Sequence, residues 1–300
     1  VLAAGCPLIV KAHEGHPELS DATAEIASTA IAAAGLPEGT FQLIHGREAG
    51  VQVLRDARIA AGAFTGSIPG GRALADIAAA RPAPIPFFGE LGSMNPVFVT
   101  ADAMRERADE LAAGYLTSVS GSAGQLCTKP GIVFVPAASA LPEVVARVAE
   151  SSGAGDTEHR LLGPRIAANY ATRRDAMLAA PGVRTVVPGS LRLDADGQGW
   201  ATATILATSL ADLRASAEVL VEESFGPVSL IVEVPEEEDF AALVPELFEG
   251  NLSGTVQLSA TEGEGASVND PALHALVAAL ARQVGRVLFN GWPTGVAVTP

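Results

Sequence analysis

Short apolar runs and helical stretches alternate through the first ninety residues, with only a few residues between them. Leu8-Ile9-Val10 reads as a buried strand, and residues 18–34 as an alanine-rich helix that stops at Gly35. Phe41 to His45 reads as a strand, 47–55 as a helix and Arg58 to Phe64 as a strand. Pro69 to Ala80 reads as a helix, with Ser67 near its cap and Pro69 in its first turn. Ile85-Pro86-Phe87-Phe88 is the next strand. A helix between successive strands implies a parallel crossover, so the pattern predicts an α/β fold with a doubly wound parallel sheet.

The pattern continues after Gly92 with more weight on strands. Pro96 to Val99 reads as a strand, 102–117 as a helix, Gly131 to Val135 as a strand, and 139–150 and 163–180 as helices. Leu191-Arg192-Leu193 and Trp200 to Leu206 flank Asp194-Ala195-Asp196-Gly197 as a hairpin. Val228 to Val234 reads as a strand, 236–248 and 270–285 as helices, and Val287-Leu288-Phe289 as a strand. The predicted domains are 1–92 and 93–300.

Composition narrows the function. The 300 residues allow two domains, and 48% hydrophobic content allows real cores. Nineteen basic against 34 acidic residues give a net charge of −15, which repels nucleic acid and anionic membrane surfaces. No apolar run approaches the ~20 residues of a membrane span, and no signal segment opens the chain. Cys6 and Cys127 are too few for a disulfide framework, so a reducing cytoplasm is expected and the sequon Asn251-Leu252-Ser253 carries no meaning. Val1 to Gly5 reads as the tail of a helix, and Thr299-Pro300 stops without a terminal element. Residues are expected to be missing at both ends.

Several apparent motifs fail. Asp194-Ala195-Asp196-Gly197 starts like a calcium loop, but Ile205 stands where a bidentate glutamate is required. Ser120-Gly121-Ser122-Ala123-Gly124 lacks the first glycine of a nucleophile elbow. The five histidines lack zinc spacing, so no metal is expected, and there is no G-x-G-x-x-G.

Other signals carry chemistry, each beside a plainer reading. Thr65-Gly66-Ser67 to Gly71 ends a strand and opens a helix, as a phosphate site does; a capped glycine turn is the alternative. Lys11 follows a strand, where open α/β sheets bind ligands. Glu90 ends an apolar strand, and desolvation beside Phe87 and Phe88 suits a general base; a surface carboxylate is the alternative. Cys127 lies in a polar, glycine-flanked loop with Lys129 two residues away, which suits a thiolate; an inert loop cysteine is the alternative. Glu223-Ser224-Phe225-Gly226-Pro227 is a turn able to carry a carboxylate and a ring into one cleft.

In this order, the lysine, Phe-Thr-Gly-Ser, Glu-Leu-Gly, Gly-Gln-x-Cys and Glu-x-Phe-Gly-Pro resemble the aldehyde dehydrogenase superfamily from Val1 to Pro300. The resemblance implies a partial cofactor domain at 1–92, a catalytic domain at 93–300, and NAD or NADP as cofactor. It makes Cys127 the nucleophile and Glu90 the base. It places Gly66, Ser67 and Gly71 at the pyrophosphate, Lys11 and Glu14 at the adenosine ribose, and Thr65 and Leu91 beside the nicotinamide. Glu223 falls on the nicotinamide ribose, with Phe225 next to it. It also implies a small aldehyde substrate and a dimer or tetramer.

The chain departs from the pattern in places. Lys11-Ala12-His13-Glu14 stands for Lys-Pro-x-Glu, and Ser93 stands where a glycine is usual. The oxyanion-hole asparagine and the first cofactor strand of the family lie upstream of Val1, so the chain alone is expected to be inactive. Glu90 to Phe98, Cys127 to Gly131 and Phe289 to Val296 are similar to the 2-oxoglutarate semialdehyde (2,5-dioxopentanoate) dehydrogenases. Phe289 to Val296 reads equally as a tunnel lining or a packing loop. The rivals are a cysteine hydrolase or acyltransferase without nicotinamide, and a non-catalytic fragment.

Overall fold

The computed structural model describes residues 1–153, 156–262 and 270–295. Val296 and the Thr299-Pro300 end lie outside the described residues. The chain divides into two compact units, Val1–Gly92 and Ser93–Pro300.

The first unit runs β1 (Leu8–Lys11), α1 (Pro17–Ala33), β2 (Phe41–Ile44), α2 (Arg47–Arg55), β3 (Gly62–Thr65), α3 (Ile68–Ala79) and β4 (Phe87–Glu90). β1 pairs with β2 and β3 with β4, both parallel, as helical crossovers require. Strand β3 is shorter than the expected Arg58–Phe64. The Asp56 carboxylate accepts the Arg58 backbone N–H at 2.9 Å and its guanidinium at 2.9 and 2.6 Å, which holds residues 56–58 in a turn. Arg81 is buried and donates to the carbonyls of Leu54 (3.2 Å) and Asp56 (2.9 Å), tying that turn to the end of α3.

The second unit contains β5 (Val97–Val99), α4 (Ala101–Ser120), β6 (Ile132–Pro136), α5 (Leu141–Ser152), β7 (His159–Arg160), α6 (Pro164–Ala179), β8 (Arg184–Val187) and β9 (Leu191–Leu193). It continues with β10 (Gly199–Ala201), β11 (Thr204–Ser209), α7 (Leu210–Ala215), α8 (Ala217–Leu220), β12 (Val228–Val234), α9 (Phe240–Leu247), β13 (Asn251–Gln257), α10 (Pro271–Gln283) and β14 (Val284–Phe289). Seven strands form one sheet in the order β14-β13-β5-β6-β12-β11-β8, and β7-β10-β9 form a small antiparallel sheet. Within the large sheet only β8 runs antiparallel to its neighbour.

Several further details differ from the expectation, among them the unexpected strands β7 and β8. Trp200–Leu206 is two strands, not one. β10 closes the hairpin with β9, while the chain switches sheets at Thr202–Thr204: Thr202 N–H still bonds Ser190 O at 3.1 Å, but Thr204 N–H bonds Pro227 O at 2.8 Å. Strand β13, unpredicted, lies between β14 and β5.

Alternating residues of the large sheet supply two cores. Val97, Val133, Val135, Ile205 and Ile231 pack with Tyr115, Leu116, Leu141 and Val145 of α4 and α5. Phe98, Ile132, Phe134, Leu206 and Leu230 pack with Tyr170, Met177, Leu243 and Leu280 on the other face. The Phe98 and Phe134 rings stack at 4.9 Å.

Strands β13, β5, β6 and β12 are adjacent and parallel, so the segments entering them converge on one edge of the sheet. Among the described residues no helix is long and apolar enough to cross a membrane.

Candidate active site

Cys127 sits on that edge, exposed, in the turn between α4 and β6. Lys129 N–H bonds Leu126 O at 3.0 Å across the turn. The approach to it is strained: Ser122, Ala123 and Gly124 all have left-handed φ, at 52°, 58° and 63°. Outside glycine such backbone costs about 1–2 kcal/mol per residue. Glycine is required at 124 for a second reason, because a Cβ there would lie 2.4 Å from the Gly226 carbonyl carbon. Gly226 in turn leaves room for the Tyr170 ring, 2.3 Å from where its Cβ would stand. These two close approaches seat the Glu223–Pro227 turn against the lead-in to Cys127.

The turn's exit is anchored as well. Gly131 N–H bonds Met94 O at 2.8 Å, and Ser229 Oγ donates to Pro130 O at 2.8 Å. Asn95 Nδ2 donates to the carbonyls of Cys127 (2.8 Å) and Lys129 (3.0 Å).

The position of Lys129 corrects the sequence reading. Lys129 is 3% exposed and its ammonium donates to Val228 O at 2.6 Å, so it is committed to the start of β12. Burial pulls its pKa down to about 8, against the attraction of Glu223. Burial likewise pushes the Glu223 carboxyl up, opposed by Lys129 and by the Ser93 backbone N–H that it accepts. Lys129 and Glu223 thus form a partly desolvated pair at the Cys127 turn.

In the first unit, Thr65 and Glu90 lie opposite each other at the carboxyl ends of β3 and β4, and Gly66 N–H bonds Glu90 O at 3.0 Å. Glu90 is exposed and Phe88 is 64% exposed, so the desolvation expected from Phe87 and Phe88 is not found in this unit. Residues Thr65 to Pro69 are exposed, and Ser67 Oγ caps the twelve-residue α3 by accepting Gly70 N–H at 3.4 Å. An exposed glycine turn feeding a helix N-terminus fits a dinucleotide's pyrophosphate. Gly71 has a packing reason: a Cβ there would meet the Leu91 side chain at 2.1 Å. Lys11 ends β1 opposite Ile44 with its stem along Gly50, and Lys11 and Glu14 are both exposed. His13 and His16 stack at 4.8 Å around that loop.

Sequence reasoning missed the polar network behind Cys127. Asn251 and Ser253, set aside as a meaningless sequon, both belong to it, as does Ser93. An asparagine directly before Pro96, in an otherwise apolar run into β5, was the available signal.

Residues 1–257 match the aldehyde dehydrogenase family. The chain is 36% identical to alpha-ketoglutaric semialdehyde dehydrogenase 2 of Azospirillum brasilense and covers 54% of it, with 99% of this chain aligned. It is 32% identical to alpha-ketoglutaric semialdehyde dehydrogenase of Acinetobacter baylyi, again over 99% of this chain and 54% of that one. The chain therefore spans about half the length of the curated relatives it matches. Its fold is similar to that of the NAD-dependent aldehyde dehydrogenase of Sinorhizobium meliloti, with a TM-score of 0.76 and 23% identity over 97% of this chain and 54% of that one.

Proposed function

Because the chain belongs to the aldehyde dehydrogenase family, we propose that the protein carrying it oxidises an aldehyde to a carboxylic acid through a thioester on Cys127. The observation that carries this reading is an exposed cysteine in a turn held from several sides, at an edge shared with the Glu223 turn.

Cys127 Sγ, as thiolate, attacks the aldehyde carbon and forms the C–S bond. The Cys127 backbone N–H donates to the oxyanion that results. NAD or NADP, when bound, would supply the acceptor for the hydride that leaves that carbon, so that the thioester remains on Cys127. Glu90 accepts a proton from water as the water oxygen attacks the thioester carbon; the C–S bond breaks, the thiolate returns and the acid leaves.

Gly66 and Ser67 would hold the pyrophosphate, with Gly71 shaping the helix start. Lys11 and Glu14 would face the adenosine ribose. Thr65, Leu91, Glu223 and Phe225 would face the nicotinamide end. The Glu14 carboxylate suits a free ribose 2′-hydroxyl and repels a 2′-phosphate, which favours NAD, whereas Lys11 suits either. Residues 1–92 act as the cofactor-binding part and 93–300 as the catalytic part in this proposal, and the protein assembles as a dimer or tetramer.

The substrate proposed is 2-oxoglutarate semialdehyde, supported by the two relatives named for it. An aldehyde panel with both cofactors tests this on the intact protein. The highest kcat/KM should fall on 2-oxoglutarate semialdehyde. Preference for an unrelated aldehyde removes the substrate assignment; histidine-dependent ester cleavage without cofactor removes the reaction.

A further inference from the structure

Asn95 stands in the left-handed region at φ 48°, which asparagine tolerates better than most side chains, and it is 1% exposed. Its amide group spans the Cys127 turn by donating to the carbonyls of both Cys127 and Lys129, at 2.8 and 3.0 Å. Its Oδ1 accepts the Ser93 hydroxyl at 2.8 Å, the Ser253 N–H at 3.2 Å and the Ser253 hydroxyl at 3.0 Å. A side chain must offer two N–H donors and an acceptor oxygen to do this, and at this length only asparagine does.

The backbone that carries Asn95 is fixed too. Asn251 Oδ1 accepts the N–H groups of Met94 (2.7 Å) and Asn95 (3.2 Å). The Ser93 hydroxyl accepts Leu252 N–H at 2.9 Å while it donates to Asn95. Ser93 thereby adds a lock on the Asn95 amide. The turn itself has a single cross-turn bond, from Lys129 N–H to Leu126 O at 3.0 Å. Without the two Asn95 bonds, that one cross-turn bond would leave residues 126–129 free to sample other conformations on the nanosecond to microsecond scale.

We propose that Asn95, locked by Ser93, is a positioning residue that holds the Cys127 turn in one backbone conformation, so that the Cys127 N–H and Sγ address the same point. The proposal rests on Cys127 being the nucleophile. Asn95→Asp keeps shape and backbone tolerance but turns a carboxylate oxygen toward two carbonyl oxygens. Ser93→Gly removes the hydroxyl that locks Asn95 and accepts Leu252 N–H, and leaves the Asn95 side chain in place.

The test uses the intact protein and three readouts. These are iodoacetamide alkylation of Cys127 against pH, followed by peptide mass with exposed Cys6 as internal reference; hydrogen exchange of the peptide covering 126–131; and kcat against cofactor KM. Asn95→Asp should change the alkylation profile of Cys127 but not of Cys6, and lower kcat ~10–100-fold with cofactor KM within about 3-fold. Ser93→Gly should move the same readouts less, and should speed exchange in the turn. If Asn95→Asp does not fold, Ser93→Gly and the exchange of the wild-type turn carry the result. Folded variants with unchanged alkylation and exchange overturn the proposal, and so does a wild-type turn that exchanges as fast as an exposed loop. Failure of the aldehyde panel leaves these thiol and exchange readouts intact, so the two proposals fail separately.

Discussion

Lys129→Met removes a buried ammonium and keeps a stem of similar volume. The residue is 3% exposed and its pKa is pulled from 10.5 to about 8, chiefly by burial, with Glu223 pulling the other way. That difference corresponds to about 3 kcal/mol. Below pH 8 the lysine is charged in both the folded and unfolded chain, and the folded state carries the whole desolvation cost. Between pH 8 and 10.5 the unfolded chain holds the proton and the folded one has released it, so stability rises with pH across this window. Methionine has no proton to release. The unfolding free energy of wild type minus that of Lys129→Met should therefore climb by about 3 kcal/mol across the window, read from urea unfolding at a series of pH values. A second effect belongs to the acid side. Without the ammonium, Glu223 keeps its burial but loses its attraction, so its carboxyl moves further up and the variant loses stability as pH rises above the usual carboxylate range. A flat or falling difference between pH 8 and 10.5 would refute the claim that Lys129 is desolvated in the Cys127 turn.

Two other substitutions probe the parts of the proposed site. Gly124→Ala forces a Cβ to 2.4 Å from the Gly226 carbonyl carbon at φ 63°, and should destabilise the fold by about 2–4 kcal/mol while slowing Cys127 alkylation; an unchanged thermal midpoint would contradict that packing. Glu90→Gln removes the proton acceptor, so the first burst of reduced cofactor should persist while steady turnover falls about 100-fold or more, and undiminished steady turnover would remove Glu90 as base.

Much of this architecture is legible in the sequence because the central parallel strands of the large sheet are buried on both faces and read as apolar runs. Val228–Val234 is the clearest case, matching its strand end to end. Strand β13 hid because Asn251-Leu252-Ser253-Gly254-Thr255-Val256-Gln257 has few apolar side chains. It packs closely at Gly254, where a Cβ would lie 2.7 Å from Leu280 Cδ2, and two of its polar side chains find partners far along the chain: Ser253 at Asn95, and Gln257 at the carbonyl of Gly291 at 3.1 Å. Single-strand periodicity does not encode such long-range pairing.

The candidate site divides in the same way. Cys127, Glu90 and Glu223 stood out because charged and nucleophilic residues bounded by glycine and proline mark loops near strand ends. Lys129 was misread because adjacency in sequence says nothing of where a side chain points; its ammonium goes to Val228, 99 residues away. Ser93, Asn95, Asn251 and Ser253 are ordinary polar residues until the sheet order places β13 beside β5.

The most direct measurement is reduced-nicotinamide formation by the intact protein supplied with 2-oxoglutarate semialdehyde and NAD or NADP, wild type against Cys127→Ala. The account predicts steady formation by the wild type and none by the variant, with both folded by circular dichroism. Turnover by Cys127→Ala at a rate near wild type would contradict it.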